Sequence, residues 1–352
     1  MSVAAWIAGA LAFLLTFLIV PAVISVCQRW EIFDRPGPLK IHTRPVPRLG
    51  GVAIVIALMA SALIANPGAA IRAWSFLVAL GLVWIVGLVD DLRSLSVLYR
   101  LPAQITAGVL LWHGGWIVPV SGTRLLSLAA TCTFVAAFIN SANFIDGTDG
   151  LAAGVACIVS GAYAFLLPSQ PDTLGAVVAF GTAGACLAFL RFNFPRAEIF
   201  LGDSGSTALG YCLAFLGLEF WRSNHAAHSQ MLYPLLVAAL PLLDGALAIV
   251  RRLSSRASPL YGDRNHIYDR MLARGWSARR VALACYAITM GFVAVAWWGV
   301  RRDPPNFWLA AGLSASLLIV YAIRLGSLRS MNSDSRPSLR PRNITKDASG
   351  MD

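Results

Sequence analysis

Residues 125–168 read LLSLAATCTFVAAFINSANFIDGTDGLAAGVACIVSGAYAFLLP. Two apolar stretches, 125–142 and 150–168, flank a short segment that carries Asp146 and Asp149. Each stretch has about the length that a helix needs to cross a bilayer. A carboxylate inside a bilayer is costly unless it is paired or binds a metal. The pattern therefore predicts two membrane helices that meet at a water boundary, where the carboxylates serve a purpose.

The same pattern repeats along the whole chain of 352 residues, of which 57% are hydrophobic and 13% charged. A soluble domain carries about a quarter charged residues. The apolar stretches number eleven: 3–27, 48–67, 73–89, 102–118, 125–142, 150–168, 173–190, 204–220, 231–249, 281–299 and 307–325. Pro102, Gln104 and a Gly-Gly pair interrupt the fourth stretch, so ten spans is an alternative. We expect an all-α integral membrane protein, a multi-span helical bundle over residues 1–326 with a disordered cytoplasmic tail at 327–352.

The basic residues predict the orientation of the bundle. No Lys or Arg precedes the first stretch, and Arg29 directly follows it, which argues against a cleaved signal and places the N-terminus outside. In this orientation 23 of the 28 Lys and Arg residues lie in cytoplasmic loops or the tail. Cytoplasmic loops of membrane proteins carry such an excess. The net charge of +11 then lies mostly against an anionic leaflet, and nucleic acid is not needed to explain it.

The acidic motifs gather on one predicted face. Asp90 and Asp91 end the third stretch, Asp203 begins the eighth in "GDSGS", and the segment 143–150 lies on the same side. Carboxylate and amide oxygens suit magnesium, and glycine-rich turns that open a helix suit phosphate. The set therefore suggests magnesium-assisted transfer that involves a diphosphate, although each carboxylate alone also fits a helix cap or a solvated helix end.

Asp244 is different, because it lies within "LPLLDGALAIV" with apolar neighbours on both sides. An ionisable residue inside a span is a candidate for function. Its position is about a turn or two from the predicted cytoplasmic end. Two readings stay open at this point: a wall of the site, or a structural pair with an Arg of the following loop.

Five motifs in this order resemble a known family. They are "DRPGPLKIHTRPVPRLGG" at 34–51, "VDDLRSL" at 89–95, "NSANFIDGTDGLAAG" at 140–154, "FLGDSGSTALG" at 200–210 and "DRNHIYDRM" at 263–271. Together they resemble the polyprenyl-phosphate N-acetylhexosamine-1-phosphate transferases, whose relatives include the phospho-N-acetylmuramoyl-pentapeptide transferase of peptidoglycan synthesis. One such motif is weak, but five in order on one face are specific.

The resemblance implies a reaction, a location and partners. The terminal phosphate of polyprenyl (undecaprenyl) phosphate attacks the sugar-bearing phosphate of a UDP-N-acetylhexosamine, and UMP leaves. The resemblance implies Mg²⁺, with Mn²⁺ as an alternative, and a multi-pass protein of the bacterial inner membrane with its active site facing the cytoplasm. The resemblance also implies membrane lipid as a partner, and it is compatible with a homodimer.

The resemblance also implies roles for individual residues. Asp90, Asp91 and His266 match catalytic positions, and Asp91 and Asp203 match the positions that hold magnesium. Asp90 matches a residue that either deprotonates the lipid phosphate or belongs to the metal region. The positions that match substrate-binding residues are Lys40, His42, Arg48, Asn140, Asn143, Asp146, Asp149, Gly202, Ser206 and Arg264.

Two departures from the family pattern bear on the substrate. Relatives often have a His-rich run where this chain has His266, Ile267, Tyr268 and Asp269, and Arg93 stands near where the peptidoglycan enzyme has a Lys. Both favour the branch that starts O-antigen or other surface glycans, with GlcNAc or a 6-deoxy N-acetylated sugar. The peptidoglycan transferase remains an alternative, as does a transporter, which explains the spans but not the carboxylates gathered on one face.

Overall fold

The computed structural model describes residues 2–36, 44–167, 174–223, 232–255, 265–302 and 306–328, and it is helical almost throughout. The helices of these ranges are α1 (Val3–Arg29), α2 (Gly50–Ala65), α3 (Pro67–Arg72), α4 (Trp74–Arg93), α5 (Val97–His113), α6 (Arg124–Phe144), α7 (Leu151–Leu166), α8 (Leu174–Asn193), α9 (Gly202–Ser223), α10 (Tyr233–Val237), α11 (Ala239–Ser254), α12 (Ile267–Ala273), α13 (Ala278–Arg302) and α14 (Phe307–Arg324). Two short strands, β1 (Phe33–Asp34) and β2 (Val46–Pro47), pair antiparallel.

Each apolar stretch of the sequence coincides with a helix, which confirms the helical prediction. The interrupted fourth stretch forms α5, which begins at Val97 and ends before Gly114 and Gly115, where Gly115 has φ +85°. The ninth stretch forms two helices, α10 and α11, because the chain leaves the helical conformation at Ala238. The strand pair is a small departure from the predicted all-α class.

Six helices of the described ranges are long and apolar enough to cross a membrane: α1, α4, α6, α8, α13 and α14. Helices α2 and α7 are also apolar but shorter. Large apolar side chains lie exposed along α1 and α14, for example Leu18 at 60% and Leu317 at 71%. Exposure of such large apolar faces to water is unfavourable, whereas in a membrane these faces contact lipid. The chain is therefore a multi-pass helical membrane protein, while the count of eleven spans and their orientation stay predictions.

Helix α9 is the centre of the bundle and positions the site. Every residue from Ser204 to Trp221 is buried, and the helix packs against α2, α4, α6 and α7. Its first turn contacts two glycines closely. A Cβ on Gly51 would overlap the backbone of Gly205, and one on Gly87 would lie 2.7 Å from the carbonyl oxygen of Asp203. These glycines let α2 and α4 approach the start of α9, so that Asp91 of α4 meets Asp203.

Candidate functional site

The start of α9 is held by the carboxylate of Asp91. Its Oδ1 accepts a hydrogen bond from the backbone N–H of Asp203 at 2.8 Å. Its Oδ2 accepts from the backbone N–H of Ser204 at 3.0 Å and from the Ser204 hydroxyl at 2.7 Å. The first N–H groups of a helix lack partners within the helix and favour an anion. An anion site of the kind predicted for the "GDSGS" turn therefore exists, but a side chain of the protein occupies it.

Gly202 makes this arrangement possible. Its φ of +75° lies in the left-handed region, which favours glycine. A Cβ at this position would overlap the carbonyl oxygen of Arg48 and lie 2.6 Å from Oδ2 of Asp91. The Arg48 guanidinium lies on the same carboxylate, 3.4 Å from Oδ1. Gly202 thus lets Arg48 and Asp91 pack closely against the turn that leads into Asp203.

The side chain of Asp203 points toward α6. Nδ2 of Asn143 donates to Oδ1 of Asp203 at 2.6 Å and lies 2.9 Å from the hydroxyl of Ser206. Asp203 itself is half-buried, so part of the carboxylate remains accessible. Asn143 therefore aims Asp203 while its own amide also faces the cavity. The sequence predicted that these three residues share a site, and the structure brings them together.

The segment between α6 and α7 forms the opposite wall. Oδ2 of Asp149 accepts from the backbone N–H of Ala197 at 3.0 Å. Asn193, at the end of α8, accepts from the N–H of Gly150 at 2.8 Å and donates to the carbonyl of Ile199 at 2.8 Å. These bonds join the 146–150 segment to the connection between α8 and α9. The carboxylate segment is therefore tied to the chain that leads to Asp203.

These elements enclose a cavity of about 470 Å³, large enough for part of a nucleotide-sized ligand. Its lining residues are Asp34, Arg48, Asp91, Asn143, Asp146, Gly147, Thr148, Asp149, Asn193, Phe200, Gly202, Asp203 and Ala278. Burial raises the pKa of Asp146 well above its usual range, and the charges of Asp203, Asp91 and Asp149 raise it further. Five acidic groups line this one cavity and create a demand for a cation.

Asp90 lies beside this cavity in a separate pair. Its Oδ2 is 3.0 Å from Nη1 of Arg100, and its Oδ1 accepts from the backbone N–H of Leu95. One turn further along α5, Gln104 accepts from Nδ2 of Asn140 at 2.6 Å. Asp90 and Asn140 do not line the cavity. The structure therefore divides the two adjacent aspartates between two environments, one on each side of the end of α4.

His266 lies behind the cavity wall. Its Nδ1 is 2.7 Å from Oδ2 of Asp244, and both side chains are about 4% exposed or less. Tyr268, two residues later, contacts the wall itself, since a Cβ on Gly147 would overlap the tyrosine hydroxyl. The loop arginines Arg256 and Arg264 lie outside the described residues, so a pair between Asp244 and a loop Arg stays a prediction. Among the described residues, Asp244 is bonded to the histidine that the resemblance singled out.

Most of the predicted site residues meet around this cavity. Those that line it are Arg48, Asp91, Asn143, Asp146, Asp149, Gly202 and Asp203, and Ser206 is bonded to Asn143. Lys40, His42 and Arg264 lie outside the described residues. Sequence reasoning missed Asn193 and the part played by Arg100 as the partner of Asp90. The signal for Asn193 was its place just before "FPRAEIFLGD", a polar residue at the end of an apolar helix.

The described residues of the cavity supply some, but not all, of the ligands that a divalent cation needs. Among the described residues, no three His, Cys, Asp or Glu side chains are arranged to hold a metal ion by themselves. Magnesium usually takes one or two carboxylates and completes its shell with water and substrate phosphates. Asp203 and Asp146 fit that demand, because both line the cavity and their charges interact. Both oxygens of Asp91 already accept hydrogen bonds from the protein.

Comparison with known proteins agrees with this geometry. The profile of glycosyl transferase family 4 matches residues 73–220, which include Asp91, Asn143 and Asp203. The decaprenyl-phosphate N-acetylglucosaminephosphotransferase of Mycolicibacterium smegmatis is 32% identical over 90% of this chain and 87% of its own length. The Mycobacterium leprae protein of the same name is 33% identical over 81% of each chain. The undecaprenyl-phosphate alpha-N-acetylglucosaminyl 1-phosphate transferase of Escherichia coli K12 is 27% identical over 89% of each.

These relatives cover nearly the full length of the chain, and their names describe transferases, so the transporter alternative is not retained. The chain belongs to the polyprenyl-phosphate N-acetylhexosamine-1-phosphate transferases, within glycosyl transferase family 4.

Proposed function

We propose that this protein transfers an N-acetylhexosamine 1-phosphate from a UDP-sugar to polyprenyl phosphate. An oxygen of the acceptor phosphate attacks the sugar-bearing phosphorus of the donor. The new P–O bond forms as the bond from that phosphorus to the bridging oxygen breaks, and UMP leaves with this oxygen. The products are UMP and a polyprenyl-diphospho-sugar. GlcNAc is the first sugar to test, because the names of the relatives specify N-acetylglucosamine.

The observation that carries this proposal is the cavity between the start of α9 and the 146–149 segment. It combines five carboxylates with the guanidinium of Arg48, and Gly147 and Gly202 also line it. A soluble dianionic diphosphate demands cations and hydrogen-bond donors. The guanidinium of Arg48 supplies donors, and the carboxylates attract the cation that must accompany the diphosphate.

The acceptor side is proposed to be the Asp90–Arg100 pair. Arg100 is 30% exposed at its side chain, and it lines a small groove with Val83, Val86 and Ala103 between α4 and α5. A partly exposed cation beside apolar side chains of α4 and α5 suits a lipid phosphate. Asp90 then competes with that phosphate for Arg100 and is placed to accept its proton. This assignment favours the base role of the two that the sequence left open.

Magnesium is proposed to be held by Asp203 and Asp146, with phosphate oxygens and water completing its shell. When bound, it neutralises charge on two phosphates that must approach each other. Mn²⁺ offers the same oxygen chemistry. Asp91 then has chiefly a structural role, since it holds the start of α9 and the Arg48 guanidinium in place.

The location is proposed from the charge pattern. With the N-terminus outside and eleven spans, the cavity opens to the cytoplasm of a bacterial inner membrane, where soluble nucleotide sugars are found. The product would start a surface polymer. O-antigen is one candidate, and the mycobacterial names of several relatives make a cell-wall glycan another. A homodimer is compatible with this proposal.

The decisive experiment uses the purified full chain in detergent with UDP-GlcNAc labelled on its sugar-bearing phosphate. We expect label to move into the organic phase only when polyprenyl phosphate and Mg²⁺ are present, with one UMP formed per labelled lipid. Chelation of the cation should stop the reaction, and Mn²⁺ should restore it in part. A panel that includes 6-deoxy N-acetylated UDP-sugars and UDP-MurNAc-pentapeptide then ranks the donors.

Asp203→Asn serves as the matched control, since it keeps the size of the side chain and removes one charge. We expect it to lose activity by a factor of about 100 to 1000. The proposal fails if label stays in the aqueous phase with every donor while the protein remains folded. Transfer of sugar without its phosphate, shown by UDP instead of UMP as the leaving product, would also contradict it.

A further inference from the structure

We propose that Asp244 is a positioning residue for the transfer reaction, acting through His266 and the first turn of α12. This inference rests on the proposed function. Asp244 lies on α11 and does not line the cavity, so it touches neither substrate directly. Its carboxylate instead fixes the segment 266–268, which connects the buried helices to the wall that carries Asp146 and Asp149.

Two hydrogen bonds from one carboxylate hold this segment. Oδ2 of Asp244 lies 2.7 Å from Nδ1 of His266, and Oδ1 accepts from the backbone N–H of Ile267 at 2.8 Å. Both the ring and the backbone beside it are therefore anchored to α11. The backbone N–H of His266 also lies 3.3 Å from the carboxylate of Asp269. Burial of a carboxylate costs free energy unless its oxygens are hydrogen-bonded or paired with a charge, and both oxygens of Asp244 are hydrogen-bonded.

The anchored ring continues into the cavity wall through aromatic contacts. The His266 ring lies between Phe144, at 5.3 Å between ring centroids, and Tyr268, at 5.8 Å with parallel planes. Phe144 ends α6, one turn after Asn140, and the Tyr268 hydroxyl lies against Gly147. A shift of the His266 ring would therefore move Tyr268 and, with it, the segment between Asp146 and Asp149.

The bond to Asp244 also decides which atom of the ring carries hydrogen. An ionised carboxylate only accepts, so Nδ1 of His266 must donate. Nε2 is then the acceptor of a neutral ring or the second donor of a charged ring. Carboxylates that fix a functional histidine in this way orient it and stabilise its charged form, and their removal commonly costs about 10- to 100-fold in function. The structure thus gives Asp244 two effects on one segment, geometric and electrostatic.

The test is a double-mutant cycle in the full-length protein. We expect Asp244→Asn and His266→Ala each to lower kcat by about 10- to 100-fold, with KM for polyprenyl phosphate unchanged. If Asp244 acts through His266, the kcat of the double variant should be no more than about threefold below that of the less active single variant, because the effects of coupled residues are not additive. Losses that multiply in the double variant would overturn the inference, as would a folded Asp244→Asn with wild-type kcat.

Glu219→Gln is the matched control for loss of a buried, paired carboxylate. Glu219 accepts from Nε1 of Trp116 and pairs with Arg222 at 3.0 Å, and it lies on the same helix as Asp203. Sixteen residues separate the two, about 24 Å along the axis at about 1.5 Å per residue. We expect Glu219→Gln to lower the melting temperature while the folded enzyme keeps its kcat. If Glu219→Gln lowers kcat as much as Asp244→Asn does, the loss in Asp244→Asn reflects reduced stability in general. That result would overturn the inference.

Asp244→Glu keeps the test valid if Asp244→Asn does not fold. It retains the negative charge in the same pocket but moves the carboxylate by one methylene. We expect it to fold and to lose about tenfold in kcat, and full activity in the folded variant would contradict a positioning role. Failure of the proposed function is distinguishable, because the wild type would then make no lipid-linked product with any donor, whereas failure of this inference leaves the wild type active.

Discussion

The carboxylate of Asp91 caps the helix that carries Asp203, with its two oxygens 2.8 and 3.0 Å from the backbone nitrogens of Asp203 and Ser204. A residue assigned by resemblance to magnesium is therefore also the anchor of the residue beside it. The roles of the two carboxylates separate in the structure: Asp91 is almost wholly buried and saturated with donors, whereas Asp203 is half-buried and faces the cavity. That difference can be measured.

The first prediction compares Asp91→Asn with Asp203→Asn. Both should lose activity by a factor of about 100 to 1000. Only Asp91→Asn should also lose stability, by about 1–2 kcal/mol, because an amide cannot replace a carboxylate that accepts on both oxygens at a helix start. Thermal unfolding without divalent cation, together with the transfer assay, separates the two effects. Equal stability of the two variants would show that the cap contributes little to folding.

The second prediction concerns Asp146. Its pKa is raised in the folded protein by burial and by neighbouring carboxylates, so the ionised form costs stability at neutral pH. Without divalent cation, the wild type should therefore become more stable as the pH falls through the raised pKa. Asp146→Asn removes this cost, so its cation-free melting temperature should exceed that of the wild type and lose this pH dependence, while activity falls about 100-fold. A lower melting temperature in the variant would contradict this account of the segment.

The third prediction concerns the contact between Gly147 and Tyr268. A Cβ at position 147 would overlap the tyrosine hydroxyl and ring, so Gly147→Ala must displace either the backbone at position 147 or the side chain of Tyr268. We expect a loss of about 10- to 100-fold in kcat and partial recovery when Tyr268→Leu is added. Gly161→Ala is the control, because that glycine lies in α7 with no atom near its Cβ position. If both alanine variants are equally active, Tyr268 does not support the wall.

The sequence predicted the helices and most of the cavity, and the reason is physical. Apolar stretches of membrane length leave backbone groups no partner but their own helix, so helix positions follow from composition alone. The carboxylates converge on one face once the spans alternate in direction. Asp91, Asp146, Asp149 and Asp203 were therefore placed together without any knowledge of their contacts.

The missed features are pairings between side chains far apart in the chain. Asp91 and Ser204 are separated by 113 positions, and Asn193 and Gly150 by 43. Hydropathy gives no information on which polar atom meets which. Asp244 shows this best: the sequence left open a wall of the site or a pair with a loop Arg, whereas the contact with His266 depends on how the start of α12 packs beside α11.

The last prediction tests the orientation on which the cytoplasmic site depends. In a variant that lacks the six cysteines, single cysteines replace Leu95, Ser258 and Ala226 in turn. Leu95 follows the α4 end that carries Asp90 and Asp91, whereas positions 258 and 226 lie outside the described residues. The positive-inside pattern predicts that a membrane-impermeant thiol reagent reaches position 226 in intact cells, and positions 95 and 258 only after the membrane is opened. The count of spans decides the result, because one missing span between 95 and 258 would place them on opposite sides. Labelling of 95 and 258 from opposite sides would therefore reject both the eleven-span topology and the single cytoplasmic face on which the two substrates are proposed to meet.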